Sequence, residues 1–180
     1  MNFAPYIVQL FTPEQAAEVA RFAEQNTFTG AHDVPARNTL KTADTKIIQW
    51  RQIKQYLDWS MHWVHFFNTR EIGLDIYDMR DLDLINYNVY TADREGEYQW
   101  HIDGKPGPSD IKVTAVINVS TEPYEGGDLE LFTNGPVVCH EMRQPGTLVI
   151  FPSVIMHRVT PVTRGVRKTI SYWVMGPNFR

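Results

Sequence analysis

Two histidines and an aspartate are the residues of this sequence best suited to hold a metal ion. His101 and Asp103 are separated by one residue, and in a β-strand such a pair points to the same side. His157 is the best placed third ligand, because it follows the apolar segment GTLVIFPSVIM and precedes the last β-rich segment. Two imidazoles and one carboxylate on one side of a metal leave three positions open, as in Fe(II) sites that activate dioxygen. A lone H-x-D is weak evidence, since a solvated pair at a strand end is the usual alternative.

A cation lies downstream of His157, at the start of the last β-rich segment. If that segment is a strand, one face carries Arg167, Thr169, Ser171 and Trp173. A guanidinium on this inward face would match a carboxylate with two parallel hydrogen bonds. Arg164 lies in the preceding turn and Lys168 has the opposite strand parity, so both are weaker candidates for the cation on this inward face.

Composition places the chain among ordinary globular proteins. Its 180 residues are 43% hydrophobic and 21% charged, which suits one domain with a real core. A net charge of −4 and a pI near 5.8 argue against binding to nucleic acid or to an anionic membrane. The single cysteine, Cys139, excludes an internal disulfide. No signal peptide or membrane-spanning segment is recognisable, so we expect a soluble, cytoplasmic protein.

About the first 70 residues are predicted to be helical and to support the β core. Thr12 and Pro13 are typical of a helix start, and the apolar pattern continues to about Gln25. A second helix is predicted from Trp50 to Phe67, with an apolar stripe at steps of three and four residues. The polar segment 27–46 is predicted to be a loop with room for one short strand.

From Leu82 onward the pattern changes to short β-rich runs separated by Gly, Pro and Asp. The runs are LINYNVY, KVTAVINVS, GDLELF, GTLVIF and KTISYWVM. No helical segments lie between them, which favours an antiparallel sandwich or barrel. We therefore predict a single domain over residues 1–180, mostly β, with a β core at about 82–176 packed by N-terminal α-helices.

Several motifs together resemble the prolyl 4-hydroxylase-like branch of the 2-oxoglutarate/Fe(II)-dependent oxygenases. They are H-x-D, G-G-D-L from Gly126 to Leu129, P-G-T-L-V-I-F from Pro145 to Phe151, H-R-V-T-P-V and G-V-R. They run from about Leu84 to Trp173, in the order of the family. The resemblance implies a double-stranded β-helix (a distorted jelly roll) with flanking helices, which agrees with the elements predicted above.

The resemblance also implies roles for the metal and co-substrate residues. The iron ligands would be His101, Asp103 and His157, and Arg167 would bind the distal carboxylate of 2-oxoglutarate. Related halogenases lack the carboxylate ligand, so the presence of Asp103 makes hydroxylation the expected reaction. The implied cofactors are Fe(II), 2-oxoglutarate and dioxygen, with ascorbate as reductant.

Further residues are assigned by the same resemblance. Tyr90 would donate its hydroxyl to the distal carboxylate, with Tyr87 as the alternative, and Thr169 would add a second hydroxyl. Tyr98 and Trp100 flank the H-x-D motif and would line the mouth of the substrate site. Ordinary aromatic packing on a sheet is the alternative for both.

The substrate is the least determined part of the prediction. The resemblance favours a prolyl residue in a peptide or protein, while a free amino acid or another small molecule is the alternative. Loops 27–46 and Asp103–Ile111 are expected to cover the entrance. Two other classes stay open: a cupin-like metalloprotein without 2-oxoglutarate chemistry, and a catalytically silent β-sandwich that serves as an interaction module.

Overall fold

A computed structural model describes residues 4–27, 40–103 and 110–178. Helix α1 spans Pro13–Asn26, and α2 spans Trp50–Phe67. The start of α1 is the predicted one, because the Gln15 amide donates to the Thr12 hydroxyl and the Thr12 amide donates to the Gln15 side chain. Both predicted helices are confirmed, the second with its predicted ends. No helix in the described ranges is long and apolar enough to cross a membrane.

Within the described ranges there are twelve strands, and every pairing among them is antiparallel. Their bounds are β1 Tyr6–Gln9, β2 Asp44–Gln49, β3 Leu84–Thr91, β4 Tyr98–His101, β5 Asp110–Asn118, β6 Glu125–Gly126, β7 Leu129–Phe132, β8 Pro136–Val138, β9 Thr147–Pro152, β10 Met156–Val159, β11 Val162–Arg164 and β12 Val166–Gly176. Short helical turns occupy Asn68–Ile72, Ala92–Arg94 and His140–Arg143.

The strands form a large sheet, a smaller sheet and one short pair. The six-stranded sheet has the order β1-β9-β5-β12-β3-β2, the four-stranded sheet has the order β4-β10-β7-β8, and β6 pairs with β11. A mostly β core with flanking helices is therefore confirmed.

The first 70 residues differ from the prediction, because they are not purely helical. Strands β1 and β2 lie there and form the two edges of the six-stranded sheet. Strand β2 is short and largely polar, and it is fixed by pairing with β3 from Asp44 opposite Val89 to Gln49 opposite Leu84. That long-range pairing leaves little periodic signal in the sequence itself.

The helices cover one face of the six-stranded sheet. Ile53, Leu57 and Val64 of α2 are fully buried against Ile170 and Tyr172 of β12 and their neighbours. The opposite face of the sheet looks toward the four-stranded sheet. A smaller apolar cluster lies there, including Val116, Leu131 and Phe151, and beside it is the cavity that holds the predicted site residues.

Candidate active site

Strand pairing brings the two predicted histidine ligands together. His101 is the last residue of β4 and lies directly opposite His157 of β10. Their ring centroids are 4.1 Å apart. Asp103 follows two residues after His101, beyond the end of the strand, and its amide donates to the Ser153 carbonyl at 3.1 Å. Strand parity therefore predicts correctly that Asp103 lies on the same side of the sheet as His101. The backbone hydrogen bond to Ser153 then fixes the position of Asp103 after the strand ends.

The three side chains face a common point. Asp103 Oδ1 lies 3.6 Å from His101 Nε2, and Asp103 Oδ2 lies 3.4 Å from His157 Nε2. All three ligand atoms fall within 4.8 Å of one another, and no second such His, Cys, Asp or Glu group occurs in the described ranges. Atoms bound to one ion at about 2.1 Å lie about 3 Å apart. The three side chains thus need only a small contraction to hold a metal ion.

Both imidazoles are set up to offer Nε2 to a metal. The Nδ1 of His101 contacts the Gln99 carbonyl at 2.7 Å, and the Nδ1 of His157 contacts the Ile155 carbonyl at 3.0 Å. A proton held on Nδ1 by a carbonyl leaves the Nε2 lone pair available. Burial, reinforced by the neighbouring His157, lowers the pKa of His101 to about 4, so this ring is neutral at pH 7.

The carboxylate ligand is oriented by a buried threonine. The Thr114 hydroxyl donates to Asp103 Oδ2 at 2.8 Å, and the Ser153 hydroxyl lies 3.0 Å from the same threonine oxygen. Thr114 is 1% exposed. Such outer hydrogen bonds fix the geometry of metal ligands.

A β-bulge in β4 brings Tyr98 to the cavity side of the sheet. His157 and Val159 of β10 pair with His101 and Tyr98, so β4 uses one extra residue over this step. Tyr98 consequently lies on the same side as His101 and stacks on its ring at 3.5 Å. Trp100 does not line the cavity. The geometry therefore supports the predicted position of Tyr98 and not that of Trp100.

Trp100 packs instead on the other face of the four-stranded sheet. Its ring meets Phe132 edge-on at 5.9 Å, and the Arg158 guanidinium lies 4.8 Å from its ring centre. Ordinary aromatic packing, the alternative weighed from the sequence, describes this residue.

Arg167 is a buried cation with unused hydrogen-bonding capacity. Its side chain lines the cavity and the residue is 1% exposed. Its Nε and Nη2 have no hydrogen-bond partner within residues 4–27, 40–103 and 110–178. Leaving a buried charge uncompensated is costly, so the site is suited to an anion.

Tyr90 and Thr169 line the same cavity as Arg167. Tyr90 lies opposite Arg167 in the pairing of β3 with β12, and the guanidinium is 5.1 Å from its ring centre. Burial raises the pKa of Tyr90 to about 12, so its hydroxyl remains a donor. Tyr87 is excluded from this group, because it belongs to the helix-side core and its hydroxyl donates to Glu24 at 2.8 Å.

The two alternatives to Arg167, Lys168 and Arg164, do not line the cavity. Lys168 points to the helix side and contacts Glu24 at 2.7 Å, as its strand parity predicts. Arg164 is largely exposed and pairs with Glu125 at 3.0 Å. Arg167 is the one cation of the three that lines the cavity.

The G-G-D-L motif also acquires a physical role. Gly127 has a φ of +62°, and a Cβ built on it would lie 2.9 Å from Arg167 Cδ and 2.9 Å from Val162 Cγ2. The glycine allows the backbone to pass directly over the arginine side chain.

Lys41 and Asn88 are cavity residues that the sequence analysis missed. Lys41 Nζ donates to Thr45 Oγ1 at 2.8 Å and to Asn88 Oδ1 at 2.7 Å. Burial, reinforced by Arg167 and opposed by Asp103, lowers the pKa of Lys41 to about 8. Asn88 could have been found from the sequence, because it shares strand parity with Tyr90. Lys41 follows a polar segment and carries no such signal.

The cavity as a whole comprises about 430 Å³ of empty space, including its opening. It is lined by all three predicted metal ligands and by Arg167, Thr169, Ser171 and Trp173 of β12. The two loops predicted to cover its entrance fall largely on residues 28–39 and 104–109, which lie outside the described ranges.

Comparison with known families agrees with this geometry. The sequence profile of the 2OG-Fe(II) oxygenase superfamily matches residues 85–175, half of the chain, from within β3 to Met175 of β12. The chain belongs to the 2OG-Fe(II) oxygenase superfamily. The match contains all three predicted metal ligands and Arg167 of this oxygenase domain.

Relatives among curated proteins are called PKHD-type hydroxylases. One from Xylella fastidiosa (strain 9a5c) is 39% identical over 103 residues, and one from Synechococcus sp. (strain CC9311) is 33% identical over 94 residues. The alignments take in 49% and 51% of this chain and 42% of each relative. The oxygenase thus matches less than half the length of these relatives.

Solved structures show the same fold. A prolyl-4-hydroxylase from Pseudomonas putida superposes with a TM-score of 0.70 at 20% identity, covering 99% of this chain and 93% of that one. A prolyl hydroxylase from Trichoplax adhaerens, in complex with a peptide fragment of hypoxia inducible factor, gives 0.66 at 17% identity, covering 96% and 83%. The predicted double-stranded β-helix is confirmed.

Proposed function

We propose that the protein is a 2-oxoglutarate-dependent Fe(II) dioxygenase that hydroxylates a C–H bond, with a prolyl residue in a peptide or protein as its first candidate substrate. One observation carries the proposal: a buried, partly unpaired guanidinium lines the same cavity as a cluster of two imidazoles and one carboxylate. A metal site alone would not need this cation. A co-substrate that chelates a metal and ends in a second carboxylate would use both.

The metal would be held by His101, Asp103 and His157. Two neutral nitrogen donors and one carboxylate suit Fe(II) and leave coordination positions for further ligands. When bound, Fe(II) with 2-oxoglutarate and dioxygen supplies the oxidising chemistry, in which 2-oxoglutarate becomes succinate and carbon dioxide and one oxygen atom enters the substrate. The protein keeps the His101 imidazole neutral and holds the Asp103 carboxylate through Thr114.

The co-substrate would be oriented by the inward face of β12 and its neighbour β3. Arg167 is assigned to the distal carboxylate, with the Tyr90 and Thr169 hydroxyls as further donors. Gly127 leaves room for the Arg167 side chain, because a Cβ at this position would press on Arg167 Cδ. Charge-assisted bonds to a guanidinium in a buried site fix both the position and the orientation of a carboxylate.

The substrate assignment is supported by the relatives. The Trichoplax adhaerens structure holds a peptide and the Pseudomonas putida protein is described as a prolyl-4-hydroxylase. Tyr98, stacked on His101 at the cavity wall, is the aromatic side chain that we assign to substrate contact. Ascorbate is the expected reductant, and the chain is proposed to act as one oxygenase domain.

The test is an oxygen-dependent assay of succinate release with Fe(II), 2-oxoglutarate and ascorbate. A screen of proline-containing peptides and free amino acids should yield at least one compound that stimulates succinate release and gains the mass of one oxygen atom. Asp103→Ala should abolish both signals, while Asp81→Ala, which changes an exposed aspartate on the surface, should retain them. Product formation that persists without 2-oxoglutarate, or in folded Asp103→Ala, would contradict the proposal.

A further inference from the structure

Lys41 lies where the two sheets meet. The backbone of residues 40–42 runs alongside β4, with hydrogen bonds between Thr42 and Glu97 in both directions and one from Gln99 to Leu40. Lys41 forms an isolated bridge with Tyr98. Since β4 is the edge of the four-stranded sheet and β2 is the edge of the six-stranded sheet, this segment closes the gap between them. The Lys41 side chain lines the cavity.

In the described part of the chain, the lysine ammonium contacts two neutral oxygens and the rings of Tyr90 and Tyr98. Thr45 Oγ1 and Asn88 Oδ1 accept two of its hydrogen bonds, at 2.8 and 2.7 Å. An ammonium has three donors. No Asp or Glu within the described part of the chain lies within ion-pair distance of it. A half-buried cation of this kind is stabilised when an anion enters its surroundings.

Lys41 is also connected to the predicted co-substrate residues. Its Nζ lies 5.9 Å from the centre of the Tyr90 ring, and the Arg167 guanidinium lies 5.1 Å from the same centre. The Asn88 amide that accepts from Lys41 donates in turn toward Ser171 at 3.2 Å. The two cations therefore border one polar region.

The balance of charge leaves an excess of cations. In the described part of the chain, Asp103 is the one carboxylate that lines the cavity, and it faces the two histidines. Fe(II), Arg167 and Lys41 together carry more positive charge than Asp103 and a 2-oxoglutarate dianion can neutralise. A second carboxylate position is thus electrostatically favourable.

We infer that Lys41, held by Thr45 and Asn88, is a second carboxylate-binding side chain of the cavity, in addition to Arg167. The inference rests on the proposed function. The carboxylate has two possible sources, which are 2-oxoglutarate itself and an acidic group carried by the substrate, and both are recognised by the same chemistry.

The test compares wild type with Lys41→Met, which removes the charge at similar length, and with Lys41→Arg, which keeps the charge. Lys41→Gln serves as a second neutral variant in case Lys41→Met folds poorly, and Lys54→Met changes an exposed lysine on α2 as the control. Anaerobic Fe(II)-loaded protein is titrated calorimetrically with 2-oxoglutarate. The 2-oxoglutarate-saturated protein is then titrated with a prolyl peptide ending in a free carboxylate and with its amide.

Two results support the inference and identify the source. If 2-oxoglutarate is the source, both neutral variants raise its Kd at least tenfold and Lys41→Arg recovers much of the affinity. If the substrate is the source, the Kd of 2-oxoglutarate stays within twofold, while wild type prefers the free carboxylate over the amide and the neutral variants lose that preference.

The inference is overturned if folded neutral variants match wild type within twofold in both titrations, as a purely structural lysine would. That outcome is distinguishable from failure of the proposed function, in which Fe(II)-loaded wild type itself does not bind 2-oxoglutarate. The latter result would overturn both.

Discussion

Strand β12 presents two faces that are completed in different ways. Its helix-side residues are fully accommodated by protein: Ile170 is buried among apolar side chains, and the buried Tyr172 hydroxyl lies 2.7 Å from Ser60 Oγ. Its cavity-side residues are not, since Arg167 Nε and Nη2 and Trp173 Nε1 lack partners within the described ranges. One strand therefore contributes to stability with one face and to ligand binding with the other.

The helix-side face is stabilised without a ligand, whereas the cavity-side face carries polar groups that a ligand could pair. Apolar burial on the helix side lowers the free energy of the folded state without any ligand. Buried polar groups without partners on the cavity side raise it. Substitutions on the helix side should therefore lower stability, and substitutions on the cavity side should weaken ligand binding.

The largest effect is expected for Leu57→Ala on the helix side. Leu57 is fully buried in the core between α2 and the sheet, and its truncation should cost about 2–5 kcal/mol of unfolding free energy. Denaturant unfolding measures this, with Leu82→Ala, which truncates a leucine that is 63% exposed, as the control. Equal losses in the two variants would remove the distinction between core and surface.

Arg167→Met should affect binding and spare stability. The loss of 2-oxoglutarate affinity should be about 2–4 kcal/mol, because a carboxylate in a buried site loses its charge partner. The unfolding free energy of the ligand-free protein should be unchanged or higher, since an uncompensated buried cation is removed. Arg164→Met is the matched control. If Arg164→Met lost affinity for 2-oxoglutarate and Arg167→Met did not, the assignment of Arg167 to the carboxylate would be wrong.

Gly127→Ala should give an intermediate effect of about 1–3 kcal/mol in stability, with weaker 2-oxoglutarate binding. The new methyl group would press on Arg167 Cδ. Gly73→Ala separates this contact from backbone strain, because Gly73 has a similar φ of +69° with nothing within 4 Å of its added Cβ. If both variants bind 2-oxoglutarate equally, the close approach to Arg167 has no functional role.

The smallest effect concerns Glu24, on the helix side. Its carboxylate accepts from Lys168 and Tyr87, and the Lys168 hydrogen bond is the main cause of its lowered pKa. A lowered carboxyl pKa stabilises the fold above the unfolded value near 4.5, and this is lost as pH falls through the folded value. Glu24→Gln should therefore cost less than about 1 kcal/mol at pH 7, because the pair is partly exposed.

The same variant should match wild type more closely in acid. Unfolding curves at pH 7 and near pH 3 measure the difference, and 2-oxoglutarate binding should not change. A stability difference that grows as pH falls would have the wrong sign for this carboxylate.

The sequence predicted the features that depend on local pattern. The start of α1 follows from the residue types at Thr12 and Pro13, the apolar stripe of α2 follows from a periodicity of 3.6 residues, and the choice of Arg167 over Lys168 follows from a periodicity of 2. The fold class followed from the succession of helices and β-rich runs. The roles of the site residues remain predictions, although the structure brings the three metal ligands and Arg167 into one cavity.

The features that were missed depend on pairing between distant residues. Strand β2 is recognised only through its partner β3, and the bulge that places Tyr98 on the cavity side exists only in the pairing of β4 with β10. Lys41 reaches the cavity because residues 40–42 run beside β4. None of these contacts leaves a periodic trace in the sequence.

Anaerobic visible spectroscopy of the Fe(II)-loaded protein with 2-oxoglutarate tests the central claim most directly. His101, Asp103 and His157 should hold the iron with room for the chelating co-substrate, so wild type should show the charge-transfer band of the chelate. Asp103→Ala should weaken or abolish it, and Arg167→Met should shift its appearance to higher 2-oxoglutarate concentration. Folded, iron-loaded wild type that shows no band at saturating 2-oxoglutarate would contradict the account.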